Sequence, residues 1–117
     1  MTKTTLDKLT NDVRKFRDAR DWKQFHNPKD LAIALVLEST EVLEHMQWLT
    51  GAELRQRLNK RHKQVAHELA DVLHLLLLLA DDLEVDLVKA FDQKMRVNKR
   101  KYPIHKARGS PKKYTEL

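Results

Sequence analysis

Between Val72 and Ala80 the chain reads VLHLLLLLA, and this run limits the fold more than any other segment. At about 100° per residue, Leu73, Leu75, Leu76, Leu77, Leu78 and Leu79 occupy nearly every side of a helix. A helix apolar all round has to be buried all round. The run is broken by His74 and is far shorter than the ~20 apolar residues of a membrane span. With 2 Gly and 3 Pro in 117 residues, and long stretches rich in Leu, Ala, Lys, Glu and Arg, the chain reads as all-α. Helices joined by short connections predict a four-helix bundle. Three neighbours from one small chain barely cover the leucine-rich helix, so self-association is expected, with that helix at a subunit interface.

The elements follow from their punctuation. Thr4 or Thr5 caps a first helix running to about Arg20, with Leu6, Leu9, Val13 and Phe16 on its buried side. Asn27-Pro28 reads as N-cap and first residue of a second helix ending near Trp48 to Gly51. Thr50 and Glu53 have capping-box spacing, and the polar stretch from Glu53 to Lys63 is either an exposed lead-in or a separate short helix. The apolar third helix runs from Gln64 to about Leu83, and the last from near Asp86 to about Lys101, stopped by Tyr102-Pro103. Residues 1–102 thus form one helical domain, and 103–117 a basic tail without period.

Two acidic pairs sit on these helices, Glu38 with Glu41 and Glu68 with Asp71. Each is spaced i,i+3, which makes the two side chains neighbours. Glu38 shares its stripe with Leu31, Ala34, Leu35, Val42 and His45, while Glu68 and Asp71 share theirs with Val72, Leu75 and Leu79. Both pairs therefore point toward the core side, opposite to the usual outward turn of acids. Clustered, desolvated carboxylates are costly unless protonated, paired with a base or bound to a cation. No Lys or Arg lies on the Glu38 stripe, and Arg61 alone lies near the other. Oxygen-only ligands favour Mg2+, then Mn2+, with Ca2+ behind. Chance acidic pairing in a chain with 17 acids is the bland alternative.

Other features bear on partners. Nine basic residues from Lys94 to Lys113, with no acid among them, account for much of the +6 charge and suit a polyanion, either nucleic acid or a phosphorylated small molecule. Lys94, Asn98 and Lys101 share one face of the last helix, with Tyr102 following; such groups hold phosphate oxygens or form an ordinary solvated basic face. Trp22 and Phe25 occupy the irregular segment before the acidic helix, and Trp48 lies near its far end. Aromatic groups there stack a nucleobase or a sugar, although most such residues are core or interface. Acids, flat rings and a basic face together describe a site for a magnesium nucleotide. Absence of Cys excludes disulfides and thiolate chemistry and suits a reducing cytoplasm, and MTKTTLDKLT lacks the apolar core of a signal peptide.

Glu38-x-x-Glu41 followed by Glu68-x-x-Asp71 resembles the ExxE…ExxD signature of the all-α nucleoside triphosphate pyrophosphohydrolases, the MazG-like group. Within it the chain looks most like the dCTP pyrophosphatases, through RDWKQFHNPKDLAIALVLESTEVLEHMQW, ELADVLHLLLLLA, VDL, KMRVNKRKYPIHKARGS and the ending KYTEL. The resemblance implies hydrolysis of a (deoxy)nucleoside triphosphate to monophosphate and pyrophosphate with magnesium. It makes Glu38, Glu41, Glu68 and Asp71 metal ligands, with Glu38 and Glu41 at the catalytic centre. It puts Trp22 and Trp48 at the base, and Lys94, Asn98 and Tyr102 at phosphates and sugar. It also implies dimers or tetramers whose sites are completed between subunits. Leu37 and Thr40 stand where the group commonly has glycines, and Val13 and Leu75 where close relatives carry His and Tyr. These departures leave the four acids intact and bear on base preference.

Two rival classes are weaker. A helical di-metal oxidase needs repeated Glu-x-x-His pairs, and Asp71-x-x-His74 has no second such partner. A nucleic-acid-binding module built on the basic segment leaves the inward acids without a role.

Overall fold

The computed structural model describes residues 3–117 and is all-helical. Among the described residues it contains α1 Thr5–Ala19, α2 Pro28–Glu44, α3 Gly51–Lys60, α4 His62–Asp82, α5 Leu87–Lys101 and α6 Ile104–Ala107, with 3-10 turns at Lys23–Phe25 and Tyr114–Glu116. It divides into two compact units, one ending at Glu84 and the other spanning Val85–Leu117. No helix among the described residues is long and apolar enough to cross a membrane.

In the first unit α4 is the central rod, packed mainly along α2, then against α1, and touching α3. Helix starts obey local chemistry. Thr4 and Asp7 exchange capping bonds, Thr4 N–H to Asp7 Oδ2 at 2.9 Å and Asp7 N–H to Thr4 Oγ1 at 3.1 Å. Asn27 Oδ1 accepts from Asp30 N–H at 2.9 Å, with Pro28 as first helical residue. The box expected at Thr50 is not made, since its side chain forms no cap bond. The polar stretch is a separate helix, α3, broken from α4 at Arg61.

Helix α2 stops at Glu44 rather than near Trp48, because residues 45–48 form tight turns that end with Trp48 in the left-handed region at φ +70°. Among the described residues the buried apolar set is small: Leu31, Leu77, Leu78 and Ala80. Helix α4 is accordingly not enclosed on every side by its own chain, since Leu69 and Leu76 remain exposed. Helix α2 is apolar on two faces; Leu31, Ala34, Leu35 and Val42 turn inward, while Ile33, Val36, Leu37 and Leu43 are more than half exposed.

The most buried residue of α1 is Arg17 rather than an apolar one, and Phe16 is 41% exposed. Arg17 is tolerable inside because its Nε donates to Asp18 at 2.8 Å and its Nη1 lies 3.6 Å from Asp81 Oδ2 on α4. Arg14 also binds Asp81, donating from Nε at 2.9 Å. Asp81 therefore clamps α1 to α4 with two guanidinium groups.

In the second unit Asp86 caps α5 by accepting from Lys89 N–H at 3.1 Å. The segment read as an aperiodic tail carries structure. It contains α6 and the Tyr114 turn, with Tyr114 edge-on to Tyr102 at 5.9 Å and the Lys101 ammonium 4.6 Å above the Tyr114 ring. Aromatic and cation–π contacts supply the order that a hydrophobic period would otherwise give.

Candidate active site

The acids of α2 and α4 come together where those helices pack. Glu38 and Glu41 occupy successive turns of α2 and Glu68 lies on α4, all partly buried. Asp71 is exposed, at the rim of the group rather than on the core side as its spacing suggested. Burial raises the Glu38 carboxyl above its ordinary value, reinforced by the charge and close carboxyl contact of Glu41 and by the charges of Asp71 and Glu68. All four acids thus share one electrostatic neighbourhood. Glu38 Oε2 is buried without a hydrogen-bond partner. At the C-terminal cap of α2, His45 Nε2 lies 3.7 Å from Glu68 Oε2 on α4, with side chains 14% and 23% exposed. Glu44, one turn beyond Glu41, is exposed.

The aromatic candidates are not core residues in this chain. Trp22 is 44%, Phe25 67% and Trp48 91% exposed. Trp22 is mounted on the end of α1, where Asp21 takes a left-handed φ of +55° and Trp22 N–H donates to Arg17 C=O at 3.1 Å. Its ring meets Phe16 edge-on at 5.7 Å. Phe16 in turn meets His74 at 5.6 Å and carries the Arg20 guanidinium 3.7 Å above its face. His74 is therefore engaged with α1. Trp48 combines near-complete exposure with a backbone conformation that costs a bulky residue about 1 kcal/mol or more. Retaining a large ring there is hard to explain by packing.

In the second unit Asn98 and Lys101 are partly buried, while Lys94 and Tyr102 are exposed. Lys94, Asn98 and Lys101 keep the common face expected from their spacing on α5.

Residues 33–117 match the MazG-like family. The chain belongs to the MazG-like family. It is 43% identical over 115 residues to dCTP pyrophosphatase 1 of Homo sapiens, a match covering 97% of this chain and 68% of that protein. The corresponding protein of Rattus norvegicus is 41% identical over the same shares. A crystal structure of a pyrophosphatase from Archaeoglobus fulgidus superimposes with a TM-score of 0.81 at 38% identity, covering 88% of this chain and 96% of that one.

The MazG-like signature carries an expectation of magnesium, and the donors fit it in kind. The four acids offer oxygen alone, and the orphaned Glu38 Oε2 is an acceptor that a hard cation satisfies. Among the described residues no three Asp, Glu or His side chains stand close enough together to hold a metal ion as they are placed. The acids are gathered but not drawn in.

Sequence reasoning missed three contributors. His45 was legible only as a member of the Glu38 stripe, because its partner lies on another helix. Phe16 looked like core, although its faces serve Arg20 and Trp22. The Asp81 clamp had no local signal, since its arginines stand more than sixty residues upstream.

Proposed function

We propose that this chain, a nucleoside triphosphate pyrophosphohydrolase, acts on a deoxynucleoside triphosphate, dCTP or a base-modified dCTP, with Mg2+ as its cofactor and Mn2+ as a substitute. The products are the monophosphate and pyrophosphate, and the role is sanitation of the nucleotide pool in the cytoplasm. The observation that carries this reading is the shared neighbourhood of Glu38, Glu41, Glu68 and Asp71, with a buried, unpartnered oxygen on Glu38. When bound, a divalent cation neutralises charge on the phosphate oxygens during an in-line displacement.

The four acids would hold that ion. Glu41, or Glu44 one turn further on, orients or deprotonates the attacking water. Trp22 and Trp48 present flat, exposed rings for the base, with Phe25 beside Trp22 in sequence. On α5, Lys94, Asn98, Lys101 and Tyr102 are the groups suited to phosphate and sugar. The names of the human and rat relatives support dCTP as the base choice. The exposed Ile33, Val36, Leu37 and Leu43 on α2 support assembly as a dimer or tetramer.

A panel of deoxynucleoside triphosphates with product identification tests the proposal. Pyrophosphate and monophosphate should form with Mg2+, with dCTP or a modified dCTP among the best substrates. Glu41→Gln should abolish turnover with the helical content unchanged; an active Glu41→Gln variant would count against the assignment.

A further inference from the structure

We infer that His45 is a positioning residue for the Glu68 carboxylate, holding one of its oxygens so that the other is presented to the cation; this rests on the cation site proposed above. Three observations carry it. His45 caps the C-terminal end of α2 and continues its inward stripe, one turn beyond Glu41 and two beyond Glu38. Its Nε2 faces Glu68 Oε2 across the α2–α4 interface at 3.7 Å, with both side chains largely withdrawn from solvent. Its Nδ1 is buried with no hydrogen-bond partner.

The last point selects the tautomer. A buried, unpaired N–H is costlier than an unpaired ring lone pair, so the ring proton belongs on Nε2, where a carboxylate oxygen can accept it. A sub-ångström shift of either side chain brings that N–H within hydrogen-bond distance. Carboxylates that ligate a cation are themselves fixed by such outer contacts. Here the contact joins the helices bearing the two acidic pairs, so it also sets how Glu68 stands toward Glu38 and Glu41.

The test uses the full chain and Mn2+ alone, with free Mn2+ read by electron paramagnetic resonance. His45→Leu preserves volume and the helix but removes the donor; it should weaken Mn2+ affinity about 10- to 100-fold. His45→Gln places an amide N–H near the original Nε2 and should recover affinity to within about threefold of the parent. Thermal melts by circular dichroism establish that each variant is folded. Unchanged Mn2+ affinity in His45→Leu, or a Gln variant as weak as the Leu variant, would overturn the role of His45. A parent chain that takes up no Mn2+ would instead overturn the cation site itself.

Discussion

Replacing Asp81 with Asn removes the one negative charge between two arginines while keeping side-chain shape. Arg17 Nη1 stands 3.6 Å from Asp81 Oδ2, with the two side chains 7% and 18% exposed. At that distance the attraction is about 4–5 kcal/mol for an effective dielectric near 20. Breaking a buried ion pair typically costs ~3–5 kcal/mol, but Arg17 keeps its 2.8 Å bond from Nε to Asp18 and the Asn carbonyl recovers part of the rest. The Arg14 contact adds at most about 1 kcal/mol, because Arg14 is 43% exposed and screened by solvent.

The net loss is therefore about 2 kcal/mol, which for a chain of this size lowers the melting temperature by roughly 6–10 °C. The hydrogen bond from Arg14, helped by both guanidinium charges, holds the Asp81 carboxyl below its ordinary value. Stability from Asp81 is thus present above the unfolded carboxylate value and lost as pH falls through the depressed one. The Asn variant should lack that acid limb. Differential scanning calorimetry across pH reads both effects. A drop below ~3 °C, or an acid limb identical to the parent's, would refute the reasoning. Adding Arg17→Met to Asp81→Asn should restore at least half of the loss, since no guanidinium is then buried with the exposed Asp18 as its one remaining partner.

Glu38→Gln should stabilise the cation-free chain at neutral pH. The folded Glu38 holds its proton more tightly than the unfolded one, so parent stability falls as pH rises from the ordinary glutamate value to the raised one. Urea titrations in a chelator should show that fall in the parent and not in the variant. Trp48→Gly should leave stability unchanged or raise it by up to about 1 kcal/mol, by relieving the left-handed strain. In competition assays the same variant should discriminate poorly among bases. Asn27→Ala removes the α2 cap and should cost about 1 kcal/mol in chemical denaturation, with turnover at saturating substrate little changed.

Features governed by neighbours in sequence were legible. Thr4, Asn27-Pro28 and Asp86 each start a helix where their capping chemistry places it. The stripe through Leu31, Ala34, Leu35 and Glu38 faces inward as its period requires. What escaped was tertiary. Arg17 is buried because an aspartate on a different helix receives it. Asp71 sits at the rim although it shares a turn with Glu68, because spacing gives an angle and not the width of the partner's cover. Trp48 is exposed because the chain turns at His45, a turn announced by neither glycine nor proline ahead of it. The C-terminal segment is ordered by single contacts among Lys101, Tyr102 and Tyr114, which leave no periodic trace.

The two acidic pairs ride on helices whose separation is set by side chains packed between α2 and α4, not by the chain that joins them. Within that joining piece, beyond the turns that carry His45 and Trp48, polar α3 is free to lengthen, shorten or change composition at small entropic expense. Sequence drift among relatives should therefore gather there while the carboxylate spacing holds, and a tag or reporter domain spliced into α3 should find the chemistry undisturbed.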